Sequence, residues 1–251
     1  MPITVFESTE ALGEAVADRL LRIIDANPSA AIGLATGSSP LTAYAAWARR
    51  VREAGIDVSA VRGFALDEYL GLDPEDEQSY HTTIHRTVTE PVGLDPERVR
   101  VPSGVGDPER EAADFEAAIR AAGGIAAQVL GVGGNGHLGF NEPGADARSR
   151  TRVVALAERT VADNARFFGG EVSRVPTRSV TQGLGTILEA RELLVIAIGP
   201  EKAEAVAAAL EGPVTAAVPA SILREHPNVH WFLDEAAASQ LGGPGGGAAR
   251  D

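Results

Sequence analysis

The run Ile125–Val132 (IAAQVLGV) carries no charged residue, is closed by glycines, and leads directly into GVGGNGHLGFNEPG, residues 131–144. An uncharged segment of this length reads as a buried strand of a parallel sheet. Ligands of open α/β sheets gather at the carboxyl ends of such strands. Gly133, Gly134 and Gly136 let the backbone turn sharply and approach a ligand closely. On that turn Asn135, His137 and Glu142 bring an amide, an imidazole and a carboxylate together, the last two five positions apart. His and Glu are the usual side chains for moving protons near neutral pH. Alone, the same residues also fit a glycine turn whose histidine only hydrogen-bonds the backbone, so the other polar segments have to decide.

The rest of the chain alternates strand and helix on the scale of a doubly wound sheet. Strands are expected at Ile3–Phe6, Ala30–Ala35, Val61–Leu66, Val99–Val101, Arg152–Leu156, Arg178–Gln182, Leu193–Ile198 and Val229–Leu233. Helices are expected at Glu10–Ala26, Leu41–Val51, Ser79–Val88, Pro108–Ala122, Glu158–Phe168, Gly183–Leu188 and Glu201–Leu210. Ser39 and Asp107 read as caps, each followed by a proline suited to the first helical position. The fold class expected is therefore α/β, a mainly parallel, Rossmann-like sheet with helices on both faces. Residues 1–240 read as a single domain and 241–251, glycine-rich, as a disordered tail.

Charge narrows the partners. A formal net charge of −13 argues against a nucleic-acid surface, which needs clustered Lys and Arg. It leaves room for a small phosphorylated ligand held by a local positive pocket. All 22 basic residues except Lys202 are arginine. The sequence holds no cysteine, which excludes disulfides and thiolate-ligated metal and fits a cytoplasmic protein. No apolar run is long enough to span a membrane, and the first residues lack the pattern of a signal peptide. His81, His85 and His137 do not fall into a metal-ligand spacing. Of the first two, one is expected to line the ligand pocket and the other to be exposed.

Four segments end predicted strands and carry polar chemistry. Ala35-Thr36-Gly37-Ser38-Ser39 offers small residues and free amides to an anion at a helix start, without the lysine of a triphosphate-binding loop. Leu66-Asp67-Glu68-Tyr69 places an acidic pair in the loop at a strand end. The glycine turn is the third. Gly199-Pro200-Glu201-Lys202 is the fourth, and Arg166 could join Lys202 on a phosphate dianion. A lysine at a helix start is otherwise disfavoured by the dipole.

These segments, quoted as LATGSSPLTAY, FALDEYLGL with QSYH, GVGGNGHLGFNEPG, SRTRVV, NARFF and EKAEAVAAALEGPVTAAVPASIL, together resemble the glucosamine-6-phosphate deaminase family, in matching order from Phe6 to Ser239. FNEPG after GHLG is the most specific element. The resemblance implies a cofactor-free enzyme that converts an amino-sugar phosphate to fructose 6-phosphate and ammonia. It makes Asp67 the base at C2, His137 the group that assists ring opening, and Asn135 and Glu142 the residues that orient and tune the imidazole. Glu68 stands behind Asp67, while Thr36, Gly37, Ser38, Arg166 and Lys202 take the phosphate. In the family the segment between about Arg152 and Thr181 closes as a lid.

Two departures carry expectations of their own. Long allosteric members have aspartate where this chain has Asn135, so the charge that favours an imidazolium is assigned to Glu142. Members activated by N-acetylglucosamine 6-phosphate use a basic pair near Arg152, whose second position here is Val154, and a tyrosine in a longer C-terminal extension; a monomer or homodimer is expected rather than an allosteric hexamer. The rival functions are a galactosamine-6-phosphate deaminase, a 6-phosphogluconolactonase, whose loop reads GHTASLFP, and a sensor without catalysis, which would lack Asp67, His137 and Glu142. If Glu142 supplies the charge, Glu142→Gln lowers the rate of ammonia release far more than Asn135→Asp; comparable small losses in a coupled assay would reject this division of labour.

Overall fold

The computed structural model describes residues 1–242; residues 243–251, the greater part of the expected disordered tail, lie outside the described residues. Its first half runs β1 (Ile3–Phe6), α1 (Thr9–Ala26), β2 (Ala31–Leu34), α2 (Leu41–Ala54), β3 (Arg62–Ala65), β4 (Asp67–Tyr69), α3 (Tyr80–Ile84), α4 (Glu90–Val92), β5 (Val99–Arg100) and α5 (Pro108–Ala121). The second half runs β6 (Ala127–Gly131), β7 (Arg152–Ala155), α6 (Glu158–Asn164), β8 (Arg178–Thr181), α7 (Leu184–Leu188), β9 (Leu193–Ala197), α8 (Ala203–Leu210) and β10 (Val229–Asp234).

Seven strands form one all-parallel sheet in the order β1-β10-β9-β6-β2-β3-β5. The chain moves outward from β2 to β3 and β5, then returns to the other side of β2 with β6. The crevice where the winding reverses therefore opens between β2 and β6. Every residue of β2 and β9 is buried, because helices leave neither face of such a sheet to water. The amphipathic pattern of α1 explains its seat: Leu12, Val16, Leu20 and Ile24 recur at helical spacing and are all buried, against α2 among others.

Of the two caps expected from the sequence, one forms. Asp107 caps α5 by accepting from the amides of Glu109 and Arg110 at 3.2 and 3.3 Å, with Pro108 as the first helical residue. Ser39 does not cap α2: Pro40 holds the cap position in a helical conformation and no side chain bonds the first amides. The stretch expected as one helix from Ser79 is broken by a π-helical turn at His85–Thr89, and the one expected at Glu158–Phe168 tightens to a 3-10 turn after Asn164.

A second sheet was not foreseen. β4, β8 and β7 form a three-stranded antiparallel sheet in that order, with Asp67 opposite Thr181 and Tyr69 opposite Ser179. The acidic pair expected in a loop thus lies in a strand, separated from β3 by Leu66 alone. Strand-forming character in β7 and β8 is plain from their residues, but a short half-exposed segment does not reveal which sheet it joins. The small sheet is covered by its own apolar cluster, in which Tyr69, Phe140, Leu156, Val161 and Phe168 are buried. It is tied to the main body at Glu116 of α5, whose buried carboxylate accepts from the Thr151 amide at 2.9 Å and from the Thr151 and Thr186 hydroxyls at 2.6 and 2.5 Å. Among the described residues no helix is long and apolar enough to cross a membrane.

Candidate active site

Adjacent strands β9, β6, β2 and β3 end side by side, and the four polar segments follow them in that spatial order. A cavity of about 470 Å³ opens there, lined by Thr36, Gly37, Ser38, Asp67, His137, Arg166 and Lys202. All seven residues singled out as proton-transfer or phosphate-binding groups that face the ligand are thus brought together. Asn135, Glu142 and Glu68 do not line it; they stand behind His137 and Asp67. His81 and His85 are both exposed and neither lines the cavity, contrary to expectation: one helical turn apart, with the His85 amide bonding the His81 carbonyl, they share a face turned to solvent, and His81 Nδ1 lies 3.2 Å from the Pro74 carbonyl.

The imidazole is oriented through an amide. Glu142 accepts from Asn135 Nδ2 at 2.9 Å through Oε2, and the Thr160 hydroxyl donates to its Oε1. A carboxylate can only accept, so the NH2 of Asn135 must face Glu142 and its carbonyl must face His137. That carbonyl lies 2.8 Å from His137 Nδ1 and takes the His137 backbone amide at 3.1 Å. Nδ1 therefore carries the proton and Nε2 is left as the acceptor. The Glu142 carboxylate itself stays 3.7 Å from Nδ1, so its charge acts across Asn135 rather than in contact. Gly133 makes the seat: a Cβ there would lie within 2.4 Å of three imidazole atoms.

Asp67 is 4% exposed, and among the described residues no hydrogen bond reaches its carboxyl. Burial first, and the neighbouring Glu68 carboxylate second, push it from the usual 3.8 up to about 8. Gly139, in the left-handed region at φ +56°, allows the glycine turn to pass this carboxyl; a Cβ would lie 3.1 Å from Asp67 Oδ2 and 2.9 Å from the Thr181 hydroxyl. Glu68 points away from the cavity. Its carboxylate accepts from Ser79 Oγ at 2.6 Å and from the amides of Tyr69, Tyr80 and His81 at 2.8 to 3.0 Å, closing the N-terminus of α3. Burial lowers His137 below its ordinary value; Glu142 opposes this, Lys202 adds to it and Asp163 opposes it. Lys202 is also lowered, by burial first, with Glu201 opposing and Arg166 adding.

Several residues that shape the site had not been singled out. Asn141, fully buried, donates to the carbonyls of Leu138 and Gln182 at 2.8 and 2.7 Å and accepts from Arg152 at 2.9 Å, pinning the glycine turn to the small sheet. Its place inside FNEPG was the available signal. Tyr69 and Tyr80 form an aromatic wall with Phe140 and Phe168, and Arg86 lines the cavity from the π-turn. Thr160 and Asn164 reach the site from α6; Asn164 opens the quoted NARFF segment, whereas nothing had marked Thr160.

The architecture is shared with known proteins. Residues 5–231 match the family described as glucosamine-6-phosphate isomerases/6-phosphogluconolactonase. The chain belongs to this family. A protein of Bifidobacterium longum named glucosamine-6-phosphate deaminase is 52% identical over 244 residues, covering 94% of this chain and 89% of that one. One of the same name in Cutibacterium acnes is 49% identical over 242 residues, covering 96% and 92%. A solved structure described as a monomeric glucosamine-6-phosphate deaminase of the NagB superfamily superposes with a TM-score of 0.92 at 36% identity, covering 96% of this chain and all of that one. A 6-phosphogluconolactonase from Trypanosoma brucei, at 22% identity and TM-score 0.74 over 96% and 98% of the two chains, shares the fold.

Within this family member the state of Asp67 has a measurable consequence. A carboxyl raised in the folded protein binds its proton more tightly there than in the unfolded chain, so its contribution is fully present below the unfolded value of about 3.8 and is lost as pH rises through about 8. Asp67→Asn removes that loss. The variant is expected to melt about 5 °C or more above the parent near pH 8.5, with the gap narrowing as pH falls toward 4.5. Differential scanning calorimetry across that range checks it, and a gap independent of pH contradicts it.

Proposed function

We propose that this chain is a glucosamine-6-phosphate deaminase, converting glucosamine 6-phosphate and water to fructose 6-phosphate and ammonia without a cofactor. The observation that carries the reading is the pairing, in one cavity of about 470 Å³, of a buried carboxyl with an imidazole whose Nε2 is left free. The cavity volume lies within the range of small-molecule sites. Thr36, Gly37 and Ser38 sit before α2 with Lys202 and Arg166 across from them, a suitable clamp for the phosphate dianion.

With the phosphate so held, His137 Nε2 takes the proton of the anomeric hydroxyl and returns one to the ring oxygen, opening the sugar. Asp67 then removes the C2 proton while O1 takes a proton from the C2 ammonium, forming an enolamine, and Asp67 delivers its proton to C1; water hydrolyses the resulting C2 iminium, releasing ammonia. The base must be ionised for this step, and the ammonium on C2 of the substrate supplies the charge that draws the proton off a carboxyl otherwise held up by burial. The neutral state favoured for His137 suits a group that first accepts a proton.

The relatives at 49–52% identity bear the deaminase name, and the 36% identical solved structure of that name is monomeric, which supports a monomer here. The lactonase likeness stands at 22% identity and extends to the fold alone. The sugar-phosphate chemistry and the absence of a membrane-crossing helix among the described residues support a cytoplasmic location. The purified protein is expected to release ammonia from glucosamine 6-phosphate at least about tenfold faster, as kcat/KM, than from its galactosamine epimer, and to leave 6-phosphogluconolactone unhydrolysed. A coupled ammonia assay with all three compounds checks this; turnover of the lactone alone contradicts it.

A further inference from the structure

The mechanism above assigns no part to Thr160, a residue of α6 that is 7% exposed. Its hydroxyl donates to Glu142 Oε1, opposite the oxygen that takes the Asn135 amide. Both carboxylate oxygens are therefore held, one from α6 and one from the glycine turn. One helical turn further along the same face, Asn164 donates to the Tyr69 hydroxyl at 2.7 Å, so two side chains of α6 hook that helix onto the site.

We propose that Thr160 is a positioning residue for proton transfer at His137, acting through Glu142 and Asn135. The chemistry follows from the donor inventory. An amide can rotate by half a turn, presenting either its carbonyl or its NH2 to Nδ1. The Glu142 carboxylate, fixed where its Oε2 meets Nδ2, selects the carbonyl together with the His137 backbone amide, which donates to Oδ1 at 3.1 Å. Without the Thr160 hydroxyl that carboxylate is free to swing, the Asn135 amide samples both orientations, and part of the imidazole population carries its proton on Nε2, where it cannot accept one from the sugar. Because Thr160 belongs to the segment covering the cavity, the imidazole is correctly set only while α6 is seated.

The proposal rests on the deaminase reading for what the imidazole does, and on the hydrogen bonds alone for how it is oriented. Thr160→Val keeps the shape and removes the hydroxyl; Thr160→Ser restores it. The Val variant is expected to lose about tenfold or more in kcat with KM within about threefold of the parent, and Ser to stay within about threefold on both. Nitrogen-15 spectra of the free protein, which has only 5 histidines, are expected to show the His137 ring as the Nδ1–H form in the parent and in Ser, and as a mixture in Val. A Val variant with unaltered kcat, one altered in KM alone, or one whose imidazole spectrum matches the parent overturns the proposal. Should the parent release no ammonia from glucosamine 6-phosphate, the deaminase reading fails, while the imidazole spectra still decide the role of Thr160.

Discussion

The order of four adjacent parallel strands, β9-β6-β2-β3, is the constraint on which everything else depends. The connections after β9, β6 and β2 contain glycine, and β3 passes through Leu66 alone into β4, so each delivers its polar group to the same edge. A cation comes from the end of β9, an imidazole from β6, small anion-binding residues from β2 and an acid from β3. These residues lie as far apart as positions 36 and 202 in sequence, and only parallel pairing with helical returns makes them neighbours. The small antiparallel sheet adds what the large one lacks: it carries Asp67 in a strand directly beyond β3 and packs against α6, whose Thr160 and Asn164 line the cavity.

The electrostatics of the site are those of proton storage. Among the described residues no hydrogen bond reaches the Asp67 carboxyl, and burial with Glu68 nearby raises it to about 8. His137 and Lys202 are both pushed toward their neutral forms, by burial above all. Such a cavity is poorly matched to its own contents and well matched to a ligand bearing a phosphate at one end and an ammonium at the other. Binding would then set the charge states that the reaction uses. Glu68 looks catalytic by composition, yet with four donors on its carboxylate it is spent on holding α3, which places Tyr80 and Arg86.

Much of this was readable from the residues. Buried parallel strands are written as short uncharged runs closed by glycine, and all seven that entered the large sheet, β1, β2, β3, β5, β6, β9 and β10, lie at expected positions. The site residues were legible because glycine loops after strands are few and their polar contents stand out. Less legible were features set by tertiary contact. Asp67–Tyr69 gives no strand signal beyond three residues, since its partner β8 is more than a hundred positions away. His81 and His85 share a helical spacing and both face solvent, while the π-turn that begins at His85 obeys packing, not propensity. Thr160 is an ordinary threonine in an ordinary helix until the fold brings Glu142 against it.

The central claim is that Asp67 and the Nε2 atom of His137 face one sugar between them while the phosphate is held across the cavity. The most direct test is a crystal structure with the reduced, open-chain amino alcohol of glucosamine 6-phosphate, which cannot isomerise. The account predicts C2 within about 3.5 Å of an Asp67 oxygen, O5 or the C1 hydroxyl toward His137, and the phosphate among Thr36, Gly37, Ser38, Arg166 and Lys202. A phosphate seated elsewhere, or C2 turned away from Asp67, would contradict it.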